Sequence, residues 1–177
     1  TGVGTARDDL AATEYGGDKG IFAYGQSGSV VSLSNLVSNA GVVATDTTGV
    51  GTARYRLGAC SYGDDKGIFG YGDGGSGDVS LTNLVSNAGV VATDTTGVGT
   101  ARSMIAACEY GGDKGIFGFG YAGGIVSMTN LVSNAGVVAT DVTGVGTARR
   151  QAAACGYGYD KGIFAYGQNG GYYSLSN

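Results

Sequence analysis

Short apolar runs alternate with glycine-rich polar segments along the whole chain. Around residues 53–61, 67–71, 79–85 and 90–95 these runs predict four strands, separated by segments rich in Gly, Asp, Ser and Asn. The runs have the lengths of ordinary strands. No stretch of about ten residues combines helical periodicity with an absence of glycine. The pattern therefore predicts an all-β fold.

The same pattern recurs as a tandem repeat. Thr-Ala-Arg places arginines at positions 7, 54, 102 and 149, and Asp-Lys-Gly-Ile-Phe begins at positions 18, 65, 113 and 160, so both motifs recur at spacings of 47, 48 and 47 residues. The segment Asn-Leu-Val-Ser-Asn-Ala-Gly-Val-Val-Ala-Thr-Asp is identical at 35–46, 83–94 and 130–141. We expect a single repeat array over residues 1–177, with units of approximately 1–48, 49–96, 97–143 and 144–177, the last incomplete.

The second strand of each unit is apolar on both faces. Ile68 and Phe69 point to opposite sides of this strand, so sheets must pack against it on both sides. The first strand instead carries small residues, such as Ala59 and Cys60, which suit a strand crowded near a central axis. Four antiparallel strands in about 47 residues, stacked face to face, describe the blades of a β-propeller or of an open arc of one.

Residues 102–120 carry a family resemblance. Arg102 precedes a small-residue strand that ends at Cys108, a short turn follows, and an aromatic strand from Ile116 ends in Gly120. This order resembles the Kelch repeat family, and the resemblance covers roughly half of each unit. The chain has no Trp and a single Gly after the aromatic strand, where that family has a late Trp and a double Gly.

The resemblance implies a ring of roughly six to eight blades. Such a ring would be completed by further chain or by self-association with a second copy of this one. The third alternative is an open arc, which would expose sheet edges.

The composition disfavours several classes of function. The chain has no His, so the usual proton shuttle and the commonest metal ligand are missing. Acidic residues outnumber basic ones by 14 to 10, which disfavours a nucleic-acid partner. No apolar stretch approaches the roughly eighteen residues of a membrane helix. We therefore expect a non-enzymatic protein that needs no cofactor or metal, binds no nucleic acid and does not insert into a membrane.

The repeated arginines have a structural interpretation. Asp46, Asp94 and Asp141 each precede the next arginine by eight residues, so ion pairs across the intervening turn would tie successive units together. The predicted structural set is Arg7, Arg54, Arg102, Arg149, Asp46, Asp94 and Asp141. The alternative is a ring of guanidinium groups that binds carboxylate or phosphate ligands.

Two further sets are also interpreted as structural. Adjacent Asp and Lys, first at Asp18 and Lys19, recur between the first two strands, and a solvated turn is favoured over acid–base catalysis. Each such turn has one or two carboxylates, too few for calcium. Cys60, Cys108 and Cys155 occupy one position in three units and are expected to be small, free core thiols.

Differences among the units concentrate in two segments, one after the arginine and one between the second and third strands. In an up-and-down blade both segments emerge at the same end, so the variation defines a candidate binding face. Its residues are Asp8, Asp9, Gln26, Tyr55, Arg56, Asp73, Asp78, Ser103, Met104, Tyr121, Arg150, Gln151, Gln168, Asn169 and Tyr172. Neutral drift in exposed turns is the alternative explanation.

These patterns favour a binding module whose variable face contacts a protein or a glycan at several equivalent sites. Tyr55, Tyr121, Tyr172 and Tyr173 would be its aromatic contacts. The alternative is a structural scaffold, such as an adhesin segment or a fibre or shell component. A propeller enzyme is least favoured, because near-identical units seldom supply one asymmetric set of acid, base and nucleophile.

Overall fold

A computed structural model describes residues 3–177, and over that range it contains strands, bridges and turns but no helix. The all-β prediction is confirmed. The strands are β1 (Ala11–Tyr15), β2 (Lys19–Ala23), β3 (Gln26–Ser27), β4 (Ser29–Val30), β5 (Ser34–Val37), β6 (Gly58–Tyr62), β7 (Lys66–Gly70), β8 (Thr82–Val85), β9 (Ala106–Tyr110), β10 (Lys114–Tyr121), β11 (Ile125–Val132), β12 (Ala153–Tyr157) and β13 (Lys161–Ala165).

Each unit builds one small antiparallel sheet. The first three units have the strand orders β1-β2-β5, β6-β7-β8 and β9-β10-β11, and the fourth has β12-β13. The short pair β3-β4 forms a separate hairpin within the first unit. The first three predicted strands of a unit therefore pair in chain order, but the sheets have two or three strands rather than the four predicted.

A tight hairpin joins the first two strands of every unit. In the second unit Tyr62 pairs with Lys66, and Gly63 and Asp64 turn the chain with φ values of 58° and 67°. This left-handed region favours Gly, and Asp tolerates it. The need for two such residues explains why this turn is rich in glycine.

The first and fourth predicted strands differ from those observed. The strand expected at 53–61 is confined to β6, because Arg56 takes a φ of 54° and interrupts the extended chain. The segment expected as a strand at 90–95 contacts β8 through the isolated bridges Val85↔Val91 and Thr82↔Thr95. The fourth segment therefore follows the sheet edge without forming a regular strand.

The hydrophobic core lies between units rather than within them. One cluster joins Tyr15, Ile21 and Tyr24 of the first unit to Leu57 and Phe69 of the second. Equivalent clusters join the second unit to the third and the third to the fourth. Each sheet is thus buried by its neighbours, as the two apolar faces of the second strand predict.

Neighbouring sheets approach most closely through their first strands, β1 to β6, β6 to β9 and β9 to β12. The small residues predicted for these strands permit this approach. Cys60 of β6, for example, packs against Gly115 of the next unit. Among residues 3–177 there is no helix long and apolar enough to cross a membrane.

Candidate binding face

The two variable segments of every unit pair with each other. The backbones of Asp8 and Gln26 exchange two hydrogen bonds of 3.0 Å. The same bridge joins Tyr55 to Asp73, Ser103 to Tyr121 and Arg150 to Gln168. We call these four pairs the paired row. The structure therefore brings the predicted residues together at one end of the sheets, opposite the Asp-Lys turns.

A second row lies beside the first. Asp9, Arg56, Met104 and Gln151 all adopt left-handed φ values, between 48° and 54°. Hydrogen bonds of 2.8–3.0 Å run from the N–H of Arg56 to the carbonyl of Asp9, from Met104 to Arg56 and from Gln151 to Met104. We call these four residues the ladder row. Because a backbone hydrogen bond joins each member of this row to the next, their different side chains are held in register.

Polar side-chain contacts connect the rows. Arg56 Nε donates to Asp9 Oδ2 at 3.0 Å, and its guanidinium lies 4.8 Å from the ring centre of Tyr55. The Tyr55 hydroxyl in turn donates to Asp73 Oδ2 at 3.2 Å. In the fourth unit Gln168 Nε2 donates to Gln151 Oε1, and Asn169 Nδ2 donates to the carbonyl of Ala148.

The predicted face residues differ in their access to solvent. Tyr172 is 94% exposed, whereas Ser103 is only 3% exposed. Ser103 was expected in the binding face, but the structure buries its side chain, so only its backbone, which pairs with Tyr121, belongs to the paired row. Burial raises the pKa of Asp78, partly opposed by a hydrogen bond with Ser103. The remaining face residues are half-buried or exposed.

An open polar groove crosses the face between the first and second units. It has a volume of about 490 Å³, and its lining includes Asp8, Asp9, Gln26, Ser27 and Arg56. Carboxylates, an amide, a hydroxyl and a guanidinium therefore surround one opening. This set can both donate and accept hydrogen bonds with a hydroxyl-rich or peptide ligand.

The repeated arginines lie beneath this face. Arg54, Arg102 and Arg149 are fully buried, so they cannot form the guanidinium ring considered as the alternative. Each guanidinium stacks on an aromatic ring of the preceding unit, at 4.0–4.2 Å from Tyr24, Tyr71 and Phe119 respectively. The arginines tie successive units together, as predicted, but through cation–π contacts.

The acidic partners of these arginines differ from the prediction. Asp46 lies 3.6 Å from Arg7, Asp94 4.0 Å from Arg54, and Asp141 3.8 Å from Arg102. The predicted pairs with the arginine eight residues later are wrong. Each carboxylate folds back along the edge of its own sheet and meets the arginine that opens the same unit. The fourth arginine, Arg149, donates instead to Asn177.

A buried asparagine completes the arginine site in each of the first three units, and it was missed from the sequence. Arg54 donates to Asn83 Oδ1 at 2.6 Å, while Asn83 Nδ2 donates to Asp94 Oδ1 at 2.9 Å and to the carbonyl of Ala92. Asn35 and Asn130 make the same contacts in their units. The identical segments that begin at 35, 83 and 130 were the available signal.

These networks predict a loss of stability in acid. Burial opposes ionisation of Asp94, but hydrogen bonds from Asn83 and Thr52 outweigh it and hold the pKa below 3.8. A lowered folded-state pKa stabilises the fold above the unfolded value, and that contribution is lost as the pH falls through the folded value. Asp94→Asn should therefore be less stable than the parent near neutral pH, with the two converging below about pH 3.

Urea unfolding followed from about pH 7 to pH 2 measures this difference. Thr52→Val is the matched control. It removes one donor to Asp94, so it should lose only part of the stability that Asp94→Asn loses near neutral pH. A gap between Asp94→Asn and the parent that stays constant with pH would contradict the prediction.

The other predicted structural sets lie away from the face. Asp18, Asp65 and Asp113 each accept one hydrogen bond from the following Lys and one from an Asn. Both bonds lower the pKa of the carboxyl, and the bond from Lys has the larger effect. Cys60 and Cys108 are buried free thiols, whereas Cys155 is free but exposed. Burial raises the pKa of Cys108 to about 11, so this thiol is a poor nucleophile near neutral pH.

Within residues 3–177 no group of three or more Cys, Asp or Glu side chains is placed to hold a metal ion. No protein-family model matches the sequence. A search of curated proteins also finds no match. The similarity to Kelch repeats stays a prediction.

Proposed function

We propose that this chain is a non-enzymatic repeat module whose variable face binds a glycan or a protein. The paired row carries the proposal: in each unit, backbone hydrogen bonds bring together the two segments that differ most between units. A constant scaffold that gathers variable polar and aromatic side chains on one end is the usual design of a binding surface.

The chemistry of the face supports a polar ligand. Tyr55 and Tyr121 offer aromatic surface, and each has an arginine near its ring, Arg56 at 4.8 Å and Arg150 at 5.8 Å. The groove beside Asp8 and Gln26 adds hydrogen-bonding groups of both kinds. Equivalent positions in successive units would let one extended ligand contact several units at once.

The arrangement of the sheets supports a propeller-like blade for each unit. The first strands approach one another, the core lies between the sheets, and the fourth segment follows each outer edge. We propose that the units are blades of a Kelch-like propeller or an arc of one. In such a scaffold the variable face would be one end of the blades.

A glycan array probed with the labelled chain, followed by calorimetry, tests the binding proposal. Tyr55→Ala combined with Tyr121→Ala should weaken binding to the best ligand by at least about tenfold, because two aromatic contacts are lost. Lys19→Ala with Lys66→Ala, at the opposite end of the sheets, is the matched control and should bind like the parent.

Equal affinities of the parent and the tyrosine variant would contradict a role for this face. A chain that binds no glycan but captures a protein through the same tyrosines would assign the protein alternative. A chain that binds neither would favour the second candidate, a structural scaffold, for which the three nearly identical contacts between units are the supporting observation.

A further inference from the structure

A small pocket opens on the variable face beside the ladder row. It has a volume of about 160 Å³, and its lining includes Asp9, Arg56, Leu57, Met104 and Ile105. We call it the ladder pocket. Leu57 and Ile105 are buried and form its apolar part, Met104 is half-buried, and Asp9 and Arg56 supply its charges. A cavity of about this volume accommodates a group the size of a benzene ring, such as one apolar side chain of a ligand.

The ladder-row residues of this pocket have a backbone conformation that favours glycine. Arg56 and Met104 have φ values of 54° and 53°. A side chain is strained in this region, whereas glycine is not. The chain has glycine at 37 of its 177 positions, yet every unit carries a different non-glycine residue at this one. Strain of this kind beside a cavity indicates that the side chains make a contact that glycine could not make.

Arg56 has hydrogen-bond donors that its neighbours do not use. Its Nε donates to Asp9 Oδ2 at 3.0 Å, and its guanidinium lies over the ring of Tyr55. Within residues 3–177 neither terminal nitrogen of Arg56 donates a hydrogen bond. Arg56 belongs to the second unit, which packs between the first and the third, so its surroundings do not depend on the ends of the array. The two terminal nitrogens form a planar fork that matches a carboxylate.

The chemistry of the ladder pocket discriminates among ligands. Asp9 already offsets much of the charge of Arg56, so a singly charged carboxylate is favoured over a doubly charged phosphate. Leu57 and Ile105 cannot form hydrogen bonds with the hydroxyls of a glycan, and burying unpaired hydroxyls against them is unfavourable. The pocket therefore favours a ligand with an apolar group beside a carboxylate. The last residue of a protein chain has both, together with an N–H that Asp9 can accept.

The polar groove continues from the ladder pocket, because Asp9 and Arg56 line both openings. The groove adds the side chains of Asp8, Gln26 and Ser27. Together they donate and accept hydrogen bonds, as the main chain of an extended peptide requires. A ligand whose apolar end occupies the pocket can therefore continue along the groove as a peptide.

Building on the binding role proposed for the variable face, we propose that its ligand is the C terminus of a protein with an apolar last residue. The last side chain enters the ladder pocket and contacts Leu57, Met104 and Ile105. The terminal carboxylate accepts hydrogen bonds from both terminal nitrogens of Arg56, and the N–H of the last residue donates to Asp9. The preceding residues of the ligand follow the polar groove.

Fluorescence polarisation with synthetic peptides tests this assignment. The probes are pentapeptides with an N-terminal fluorophore that differ only in the last residue, each made with a free carboxylate and with a C-terminal amide. The parent chain should bind the acids that end in Leu, Ile or Met. The amides should bind at least about tenfold more weakly, because they lack the charge that the arginine fork pairs. Acids that end in Asp should also bind weakly, since the pocket would then bury a second charge.

Two variants exchange ladder-row residues between units. Arg56→Met introduces the residue of the third unit and Met104→Asp that of the first, so both substitutions suit the local backbone and should fold. Arg56→Met should weaken binding of the acids by at least about tenfold and remove the difference between acid and amide. Met104→Asp should weaken binding of the acids by about fivefold or more, because it places a charge in the apolar lining. Lys114→Met, at the opposite end of the sheets, is the matched control and should bind like the parent.

Three results would overturn the assignment: a parent that binds no peptide, equal binding of acid and amide, or a preference for the acid that survives Arg56→Met. Binding of a uronic-acid or sialylated glycan through Arg56 would also overturn it and would assign the pocket to an acidic glycan. A ligand that depends on Tyr55 and Tyr121 but not on Arg56 would overturn this assignment alone and leave the binding role of the face intact.

Discussion

Arg102→Ala is expected to lower the free energy of unfolding by about 3–5 kcal/mol, the cost of breaking a buried charged network. Its guanidinium donates to the carbonyl of Phe119 at 3.0 Å and to Asn130 Oδ1 at 2.6 Å, and it stacks on Tyr71. Truncation removes the donors and leaves those two buried acceptors unpaired. It also opens a cavity beneath Tyr71, so two neighbouring units lose contact.

Two matched variants separate the causes of this loss. Arg102→Lys keeps the charge but not the planar fork, so it should recover only a minor part of the stability. Arg7→Ala removes the same hydrogen bond to an asparagine, at 2.6 Å from Asn35, but within residues 3–177 Arg7 stacks on no aromatic ring. We expect it to cost roughly 1–2 kcal/mol.

Urea unfolding followed by circular dichroism measures all three variants. Because repeat arrays can unfold unit by unit, fluorescence of the core tyrosines should be followed as a second signal. An Arg102→Ala chain within about 1 kcal/mol of the parent would show that the guanidinium is not integral to the interface.

The period and the hairpins could be predicted from the sequence because both depend on local chemistry. Glycine at the turn before Lys66 and the short apolar run that follows are short-range signals, and β7 follows them closely. The fourth strand was less predictable. Val91 and Thr95 form single bridges to the sheet edge, a distinction that depends on the packing of neighbouring units.

The arginine site was harder to predict because its partners are distant in sequence. Arginine is rarely fully buried, so composition favours a surface role for it. The pairing of Asp94 with Arg54 rather than with Arg102 depends on how the fourth segment returns to the start of its own sheet. Asn83 was unremarkable as a single residue, although its amide joins the two charged groups. The pairing of the two variable segments, by contrast, could be predicted from the order of strands within a unit alone.

Phe117→Ala is expected to lower the free energy of unfolding by about 3–5 kcal/mol, while Phe22→Ala at the equivalent position of the first unit should cost about 1 kcal/mol. Phe117 is fully buried between β10 and the preceding unit, and its ring packs edge-on against Tyr71. Its removal leaves a cavity in a core that two sheets share. Phe22 is 40% exposed, so within residues 3–177 its ring lacks the close packing that surrounds Phe117.

The comparison holds the residue type and the local strand constant and changes only the neighbouring unit, so the difference measures what one interface contributes. Urea unfolding of dilute chains gives this value; equal losses in the two variants would contradict it.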